Sequence, residues 1–413
     1  MSGKHIFLLK GVVRNYSWGG ETFIPRLLHV ENKQHDPFAE YWMGAHPSAP
    51  SSLTIDDQQC PLNELIAADA DKYIGAAVLD KFGELPYLFK VLDVKEMLSI
   101  QVHPSKTEAE KGFDMEQASG KSISDPTRNY KDRNHKPEVM VALSDFYLLH
   151  GFKKEELLRQ TLLDTPTLTP LLAEFDRNGY KGLYQYVMEL PQDEVDNFLQ
   201  PLVQAALATE ATKTEPAYWV KKLYPNGIPE NQELNNIDRG IFSIYFFNIV
   251  YVKPGQAVFQ GAGVPHAYLE GQNVELMANS DNVLRGGLTP KHIDVPELLK
   301  HTTFEGIEPN IMNGDQLDSA TWNYPCPVGD FGIQKIDLKA AGTANSTSNS
   351  GEIILVMDGD ISIKDSNEPR MEGIDQSSLH LFRGEACYIL PGTAYTLGSN
   401  EGGQAYKAFV PQN

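Results

Sequence analysis

A segment patterned for helices, Lys153 to Tyr224, lies between two segments patterned for strands, and this order limits the fold more than any other feature of the chain. From Gly3 to Phe152 short apolar runs alternate with turn residues. Tyr87 to Leu92 and Glu138 to Leu143 are the clearest strands, and one helical stretch interrupts them near Leu62 to Asp80. In the middle segment Val195, Phe198, Leu199 and Leu202 fall at i, i+3, i+4 and i+7, one face of a helix. Pro166, Pro170, Pro191, Pro201 and Pro216 punctuate that segment and predict several short helices rather than one long one, with Pro225-Asn226-Gly227 as the closing turn. The apolar run Ile241 to Val252 reads as a return to strand. The expected fold class is mainly β with an α-helical insertion.

Length and charge narrow the partners. At ~150 residues per domain, 413 residues allow two or three domains. Lys and Arg total 35 against 55 Asp and Glu, a formal charge of −20, so no broad cationic surface is available for nucleic acid or an anionic membrane. A small anionic ligand is still admissible, because one pocket can be locally basic. Cys60, Cys326 and Cys387 are far apart and odd in number, which argues against a disulfide framework and a thiolate metal site. The run Ile6 to Leu9 is too short for a signal segment, and no window approaches the ~18 apolar residues of a membrane span. A cytoplasmic protein, working as a monomer, is the expectation.

A faint internal repeat marks the second strand-rich segment. Gly255, Gly263 and His266 are spaced +8 and +3, and Gly384, Gly392 and Tyr395 repeat that spacing. The pattern resembles the signature of cupin jelly rolls, in which a Gly-rich turn delivers a His into a small barrel. Tyr395 stands where the first copy has His266, so the C-terminal copy is expected to hold no metal.

Four short stretches could carry chemistry. In Ser99-Ile-Gln-Val-His-Pro104, strand alternation puts Gln101 and His103 on one face. In Tyr130-Lys-Asp-Arg-Asn-His-Lys-Pro-Glu138, a charged loop ends in a carboxylate at the mouth of an apolar strand. In Gly263-Val-Pro-His-Ala-Tyr-Leu-Glu-Gly271, His266 follows a Gly-Pro turn. Gln101, His103, Glu138 and His266 together offer two imidazoles, a carboxylate and an amide oxygen, a fit for zinc; two His and one carboxylate also describe a non-haem Fe(II) site. Between Asn273 and Lys291, Glu275, Asp281, Arg285 and Lys291 bring both signs of charge nearby. Each stretch alone reads first as an edge strand, a structural turn or a solvated loop.

Taken together, Tyr130–Glu138 (Y-x-D-x-N-H-K-P-E) and His266–Lys291 (H-A-Y-L-x-G-x-x-V-E-x-M-A-x-S-D-N-x-L-R-x-G-x-T-P-K) resemble the two signatures of the type I mannose-6-phosphate isomerases. Q-V-H-P at Gln101–Pro104 and W-M-G-x-H-P at Trp42–Pro47 resemble two further blocks of that family, in the same order along the chain. One departure is Gly286, where some members carry Ala; it is expected to add backbone freedom beside Arg285.

The resemblance implies two cupin-type jelly-roll barrels plus a helical domain, and an aldose–ketose isomerase that interconverts mannose 6-phosphate and fructose 6-phosphate with one zinc ion (Zn2+) per chain. The implied divisions are 1–152, 153–236, 237–320 and 321–413. The implied metal ligands are Gln101, His103, Glu138 and His266. Arg285 takes the position of a catalytic arginine; Lys136, Glu275 and Asp281 take pocket positions with acid–base roles; Lys90, Ser99 and Lys291 take positions assigned to the phosphate. His46 and His135 lie in the motifs and are read as structural. Isomerisation moves a proton from C2 to C1 through a cis-enediol, which needs a base on one face and positive charge for the enediolate oxygens. Two rivals use the same fold: an Fe(II)-dependent oxygenase on His103, Glu138 and His266, and a non-enzymatic sugar-binding cupin. Arg285, Lys136 and Lys291 favour a phosphosugar.

Overall fold

A computed structural model describes residues 4–228, 236–366 and 378–412. Two β-sheets and eleven α-helices make up the described residues. The strand His266–Ala278 is the spine of the ten-stranded sheet. Its first half pairs with Phe146–Phe152 and, at His266, with Ile100–Val102; its second half pairs with Tyr87–Val94 and Glu138–Ala142. The register shifts between Tyr268 and Glu270, so the extra residue inverts which face later side chains use. That inversion lets both halves look into one interior. Gly271, at φ 130°, sits just beyond it, and a Cβ there would meet Phe146 Cδ2 at 2.6 Å and Asp145 O at 2.7 Å.

The helical segment backs this sheet. Leu158, Leu183, Tyr184, Val195, Leu199 and Trp219 share one core with Ile100, Val102, Leu149, Phe152 and Ala267. The helices therefore buttress the strands that carry Gln101 and His266. Pro170 and Pro216 sit in the first turns of helical segments and Pro191 caps another, as the sequence predicts. Pro201 does not break its helix. Gln192–Ala208 runs through it, because burying Val195, Leu199, Leu202 and Val203 outweighs one lost backbone bond. The interruption falls instead at Gly179, whose φ 64° and ψ −160° kink Leu172–Glu189. The expected helix near Leu62 is three short ones, Leu62–Ala68, Ala70–Ile74 and Ala76–Phe82.

The strand read over Ile241 to Val252 needs correction. Gly240–Phe246 is an α-helix and only Phe247–Val252 is strand. All seven helical residues are buried, and an apolar run buried on every side has no periodicity to tell helix from strand.

The twelve-stranded sheet holds the C-terminal strands together with Ile6–Lys10, Ser52–Ile55 and Gln58–Pro61. Ile6–Lys10 pairs with Ala386–Ile389 on one side and Ser52–Ile55 on the other, so this sheet crosses the division expected at residue 152. Neither sheet closes on itself among the described residues. Phe7, Phe89, Val274, Ile353 and Tyr388 belong to one core between the sheets, and Tyr87 Oη donates across it to Gly351 O at 2.9 Å.

The internal repeat is present in the backbone. Gly255, Gly263, Gly384 and Gly392 have φ of 81°, 81°, 86° and 78°. A strand starts two residues after the first glycine of each pair, Ala257–Gln260 and Ala386–Ile389. The second glycine precedes His266–Ala278 in one copy and Ala394–Gly398 in the other.

One half-buried cation in the helical layer gives a stability test. Lys153 Nζ donates to Tyr245 O at 2.7 Å and Thr161 Oγ1 at 3.1 Å, and burial pushes its pKa down from 10.5 to about 8. Between those values the unfolded chain binds the extra proton, so stability rises with pH there; below about 8 the cost of burying the charge is present in full. Lys153→Met is therefore expected to exceed the parent in stability at neutral pH. Its advantage should shrink by roughly 3 kcal/mol, at 1.36 kcal/mol per unit, as pH climbs from 8 to 10.5. Urea unfolding of both proteins across that range reads the difference; a constant difference would refute the assignment.

Candidate active site

Glu138 opens the strand Glu138–Ala142, directly across from Met277 on the spine. His266 starts the spine, and His103 follows the short strand Ile100–Val102. These placements bring three donors together. His103 Nε2 lies 3.5 Å from Glu138 Oε1, His266 Nε2 lies 3.4 Å from Glu138 Oε2, and the two rings are 5.0 Å apart at their centroids. A tetrahedron with bonds of ~2.1 Å has edges of roughly 3.4 Å, so these separations suit one small ion.

The imidazoles are set for a metal by their far sides. His103 Nδ1–H donates to Asn282 O and His266 Nδ1–H to Val264 O, both at 2.9 Å. Each ring thereby keeps its Nε2 lone pair pointing inward. His103 Nε2 is buried with no hydrogen-bond partner, an open coordination position. Burial, reinforced by the Lys136 charge, pushes the His103 pKa down to about 4, so the ring stays neutral. Burial opposes charge on Glu138, but its neighbours, the Lys136 ammonium first among them, outweigh it and hold the carboxyl well below the usual range. Gln101 lies in register between His266 on one neighbour and Arg285 on the other, so all three share a face. Nitrogen and oxygen donors of these types fit zinc.

A second group of charges adjoins the first. Lys90 is paired in register with Glu275; its Nζ lies 3.1 Å from Glu275 Oε1 and 3.7 Å from Glu40 Oε2. Burial opposes the Lys90 charge, but Glu40, Glu275 and Glu138 overcome it and keep the ammonium charged. Tyr268 Oη donates to Glu275 Oε2 at 2.7 Å, which closes the loop between the two halves of the spine. Burial raises the Glu275 pKa, with Lys90 opposing. Lys136 Nζ is 3.1 Å from Glu138 Oε1.

Asp281 is more exposed. Its Oδ2 lies 3.4 Å from His46 Nε2, and that contact holds its carboxyl below the ordinary value. A cavity of about 910 Å³ opens beside this pair, with Lys106, Lys131 and Arg133 on its wall. Arg285 is half-buried, Lys291 is exposed, and Ser99 is half-buried just before Ile100–Val102. Burial and the nearby Arg285 charge both lower the Lys291 pKa, so two cations stand close together.

Some roles were invisible in the sequence. His46, read as structural, is the partner of Asp281; His135, read the same way, contacts Asp330 at 3.0 Å. Asn282 is fully buried and pins the loop after Tyr130: its Oδ1 accepts from Lys131 N at 2.7 Å and its Nδ2 donates to Asn134 O at 2.8 Å. Its place inside S-D-N-x-L-R was the available signal. His150 lies in register opposite His266 and carried no signal at all. Gly286 needs space rather than backbone freedom, since its φ is not positive and a Cβ would come within 2.8 Å of Tyr184 Oη.

A profile of the phosphomannose isomerase type I catalytic domain matches residues 6–155. The mannose-6-phosphate isomerase of Escherichia coli K12 is 36% identical over 357 residues, which cover 85% of this chain and 88% of that protein. This chain belongs to the type I mannose-6-phosphate isomerase family. The family member from Candida albicans is 31% identical over an alignment of 461 residues, covering 99% of this chain and all of that one at 100%. The fold agrees as well. A structure of the Salmonella typhimurium mannose 6-phosphate isomerase, bound to fructose 6-phosphate and zinc, superposes with a TM-score of 0.85 at 31% identity, covering 99% of this chain and 100% of that one. The family profile stops before His266, so the second half of the site rests on the full-length relatives.

Proposed function

We propose that this family member interconverts D-mannose 6-phosphate and D-fructose 6-phosphate and holds one zinc ion on Gln101, His103, Glu138 and His266. The observation that carries the reading is the buried His103–Glu138–His266 cluster, with Gln101 in register between His266 and Arg285. The names of the bacterial and fungal relatives, and the ligands of the Salmonella structure, support the same reading. Bound zinc would supply positive charge beside the sugar's carbonyl and hydroxyl oxygens.

The protein's own groups divide the remaining work. Arg285, fixed beside Gln101, holds the oxygen that gains charge as the enediolate forms. Lys136, Glu275 and Asp281 are the acid–base set. Glu275, with its raised pKa, suits proton transfer at the buried end, while Asp281 with His46 faces the open cavity, where the sugar ring opens. Lys291 and the Ser99 hydroxyl receive the phosphate. Lys90 already shares its charge between Glu40 and Glu275, so Lys90 acts by setting the state of Glu275 as much as by meeting phosphate. The paired Gly turns support two cupin-type jelly rolls, with 153–236 as a helical domain. No helix among the described residues is long and apolar enough to cross a membrane.

Purified protein assayed for loss of mannose 6-phosphate, before and after chelation, with metal content measured on the same sample, tests the reading. Turnover that vanishes with zinc and returns with it is expected; oxygen consumption without isomerisation would favour the oxygenase. Lys291→Ala is expected to raise KM for mannose 6-phosphate roughly tenfold with kcat little changed, the scale of one charge-assisted hydrogen bond of about 1.5 kcal/mol. An unchanged KM would move the phosphate elsewhere in the pocket.

A further inference from the structure

The C-terminal copy of the repeat encloses a cavity of its own, of about 280 Å³, between the strands Gly332–Leu338, Gly403–Phe409 and Thr343–Thr347. Tyr395, the counterpart of His266 in the repeat, is on its wall. Its hydroxyl donates to Glu352 Oε2 at 2.7 Å. Lys407 Nζ lies 3.9 Å from the same carboxylate oxygen and 3.3 Å from Ser346 Oγ. Glu352, Tyr395 and Lys407 are 4%, 1% and 7% exposed. A carboxylate and an ammonium held out of water need a reason, because burying an ion pair seldom adds stability over apolar side chains.

The 3.9 Å gap is the informative distance. It is too long for a hydrogen bond. A hydroxyl beside the pair, ~2.8 Å from each, bridges the two groups from the cavity, accepting from the ammonium and donating to the carboxylate. Gln334, directly across from Lys407 in register, adds an amide, and Phe409 adds an apolar ring under the lysine at 5.3 Å. Asp318 on the same wall leaves the lining with an excess of negative charge, which disfavours a phosphate dianion. The volume is near the lower end of the ~300–1,000 Å³ of small-molecule pockets, the size of one sugar.

We propose that this cavity is a second binding site, separate from the isomerase centre, for one small neutral polyhydroxylated molecule such as a hexose or hexitol. The Glu352–Lys407 pair reads its hydroxyls and Phe409 meets its C–H face.

Saturation-transfer NMR with D-glucitol and D-mannose, on the zinc-loaded enzyme, tests this. Transfer to D-glucitol is expected to persist when excess fructose 6-phosphate fills the catalytic site. It should fall at least tenfold in Lys407→Met and in Ser346→Leu, which fills the wall, while both variants keep the parent's kcat. Ser346 is only partly buried, so Ser346→Leu decides the matter if Lys407→Met fails to fold. Displacement by fructose 6-phosphate, undiminished binding in Ser346→Leu, or no transfer to either polyol would overturn the proposal. Binding of inorganic phosphate lost in the same variants would overturn the ligand class.

Discussion

Glu138→Ala is expected to leave the protein folded, without stoichiometric zinc, and with kcat/KM lower by about 10³-fold or more. A metal acting as Lewis acid contributes several kcal/mol to the transition state, and about 4 kcal/mol is a thousandfold. Glu138 is the residue whose loss is felt most, because it alone reaches both imidazoles, at 3.5 and 3.4 Å. Its removal also strands Lys136, which sits 3.1 Å from it. Glu138→Gln separates the two effects: it keeps the shape and one oxygen donor but not the charge. Metal content and turnover must be read on the same preparation. An alanine variant free of metal and as active as the parent would end the metal-dependent reading.

Arg285→Ala should lower kcat by ~10²-fold or more, the usual loss when a group stabilising a developing oxyanion is removed, and leave zinc content unchanged. Arg285 is held by a strand rather than a loop: Leu284–Gly287 pairs with Ile100–Val102, and Arg285 faces Gln101. The backbone at Arg285 is thus set across from Gln101 before substrate arrives. Arg285→Lys should recover little, because an ammonium on a flexible stem cannot copy a planar fork. A raised KM at constant kcat would make Arg285 a plain binding residue.

How much of this was legible depended on where each residue's environment comes from. Local patterns drew notice to each member of the cluster, with alternation for Gln101 and His103, the mouth of an apolar strand for Glu138 and a Gly-Val-Pro turn for His266, but it took the family resemblance to read them together as a ligand set. Their meeting point was not local. It depends on the register shift after Tyr268, which no side-chain pattern announces. Gly240–Phe246 was misread because burial on all sides erases periodicity. Pro201 misled because tertiary burial of one helical face overrode a local breaker. The pairing of His46 with Asp281 joins residues far apart in sequence, and only the folded chain brings them together.

The pairing of Ile6–Lys10 with Ala386–Ile389 also sets a timetable for biosynthesis. The strand Ile6–Lys10 leaves the ribosome long before its partner Ala386–Ile389 is made. At ~5–20 residues per second the wait is roughly 20–80 s. During that time the strand Ile6–Lys10 and the hairpin Ser52–Pro61 beside it have no finished sheet to join. Such long-range closure folds slowly and leaves an apolar edge open to other chains. A nascent chain halted before Ala386 is therefore expected to be a strong client of chaperones that hold extended segments, and the emergence of Ala386–Ile389 to be the step that releases it.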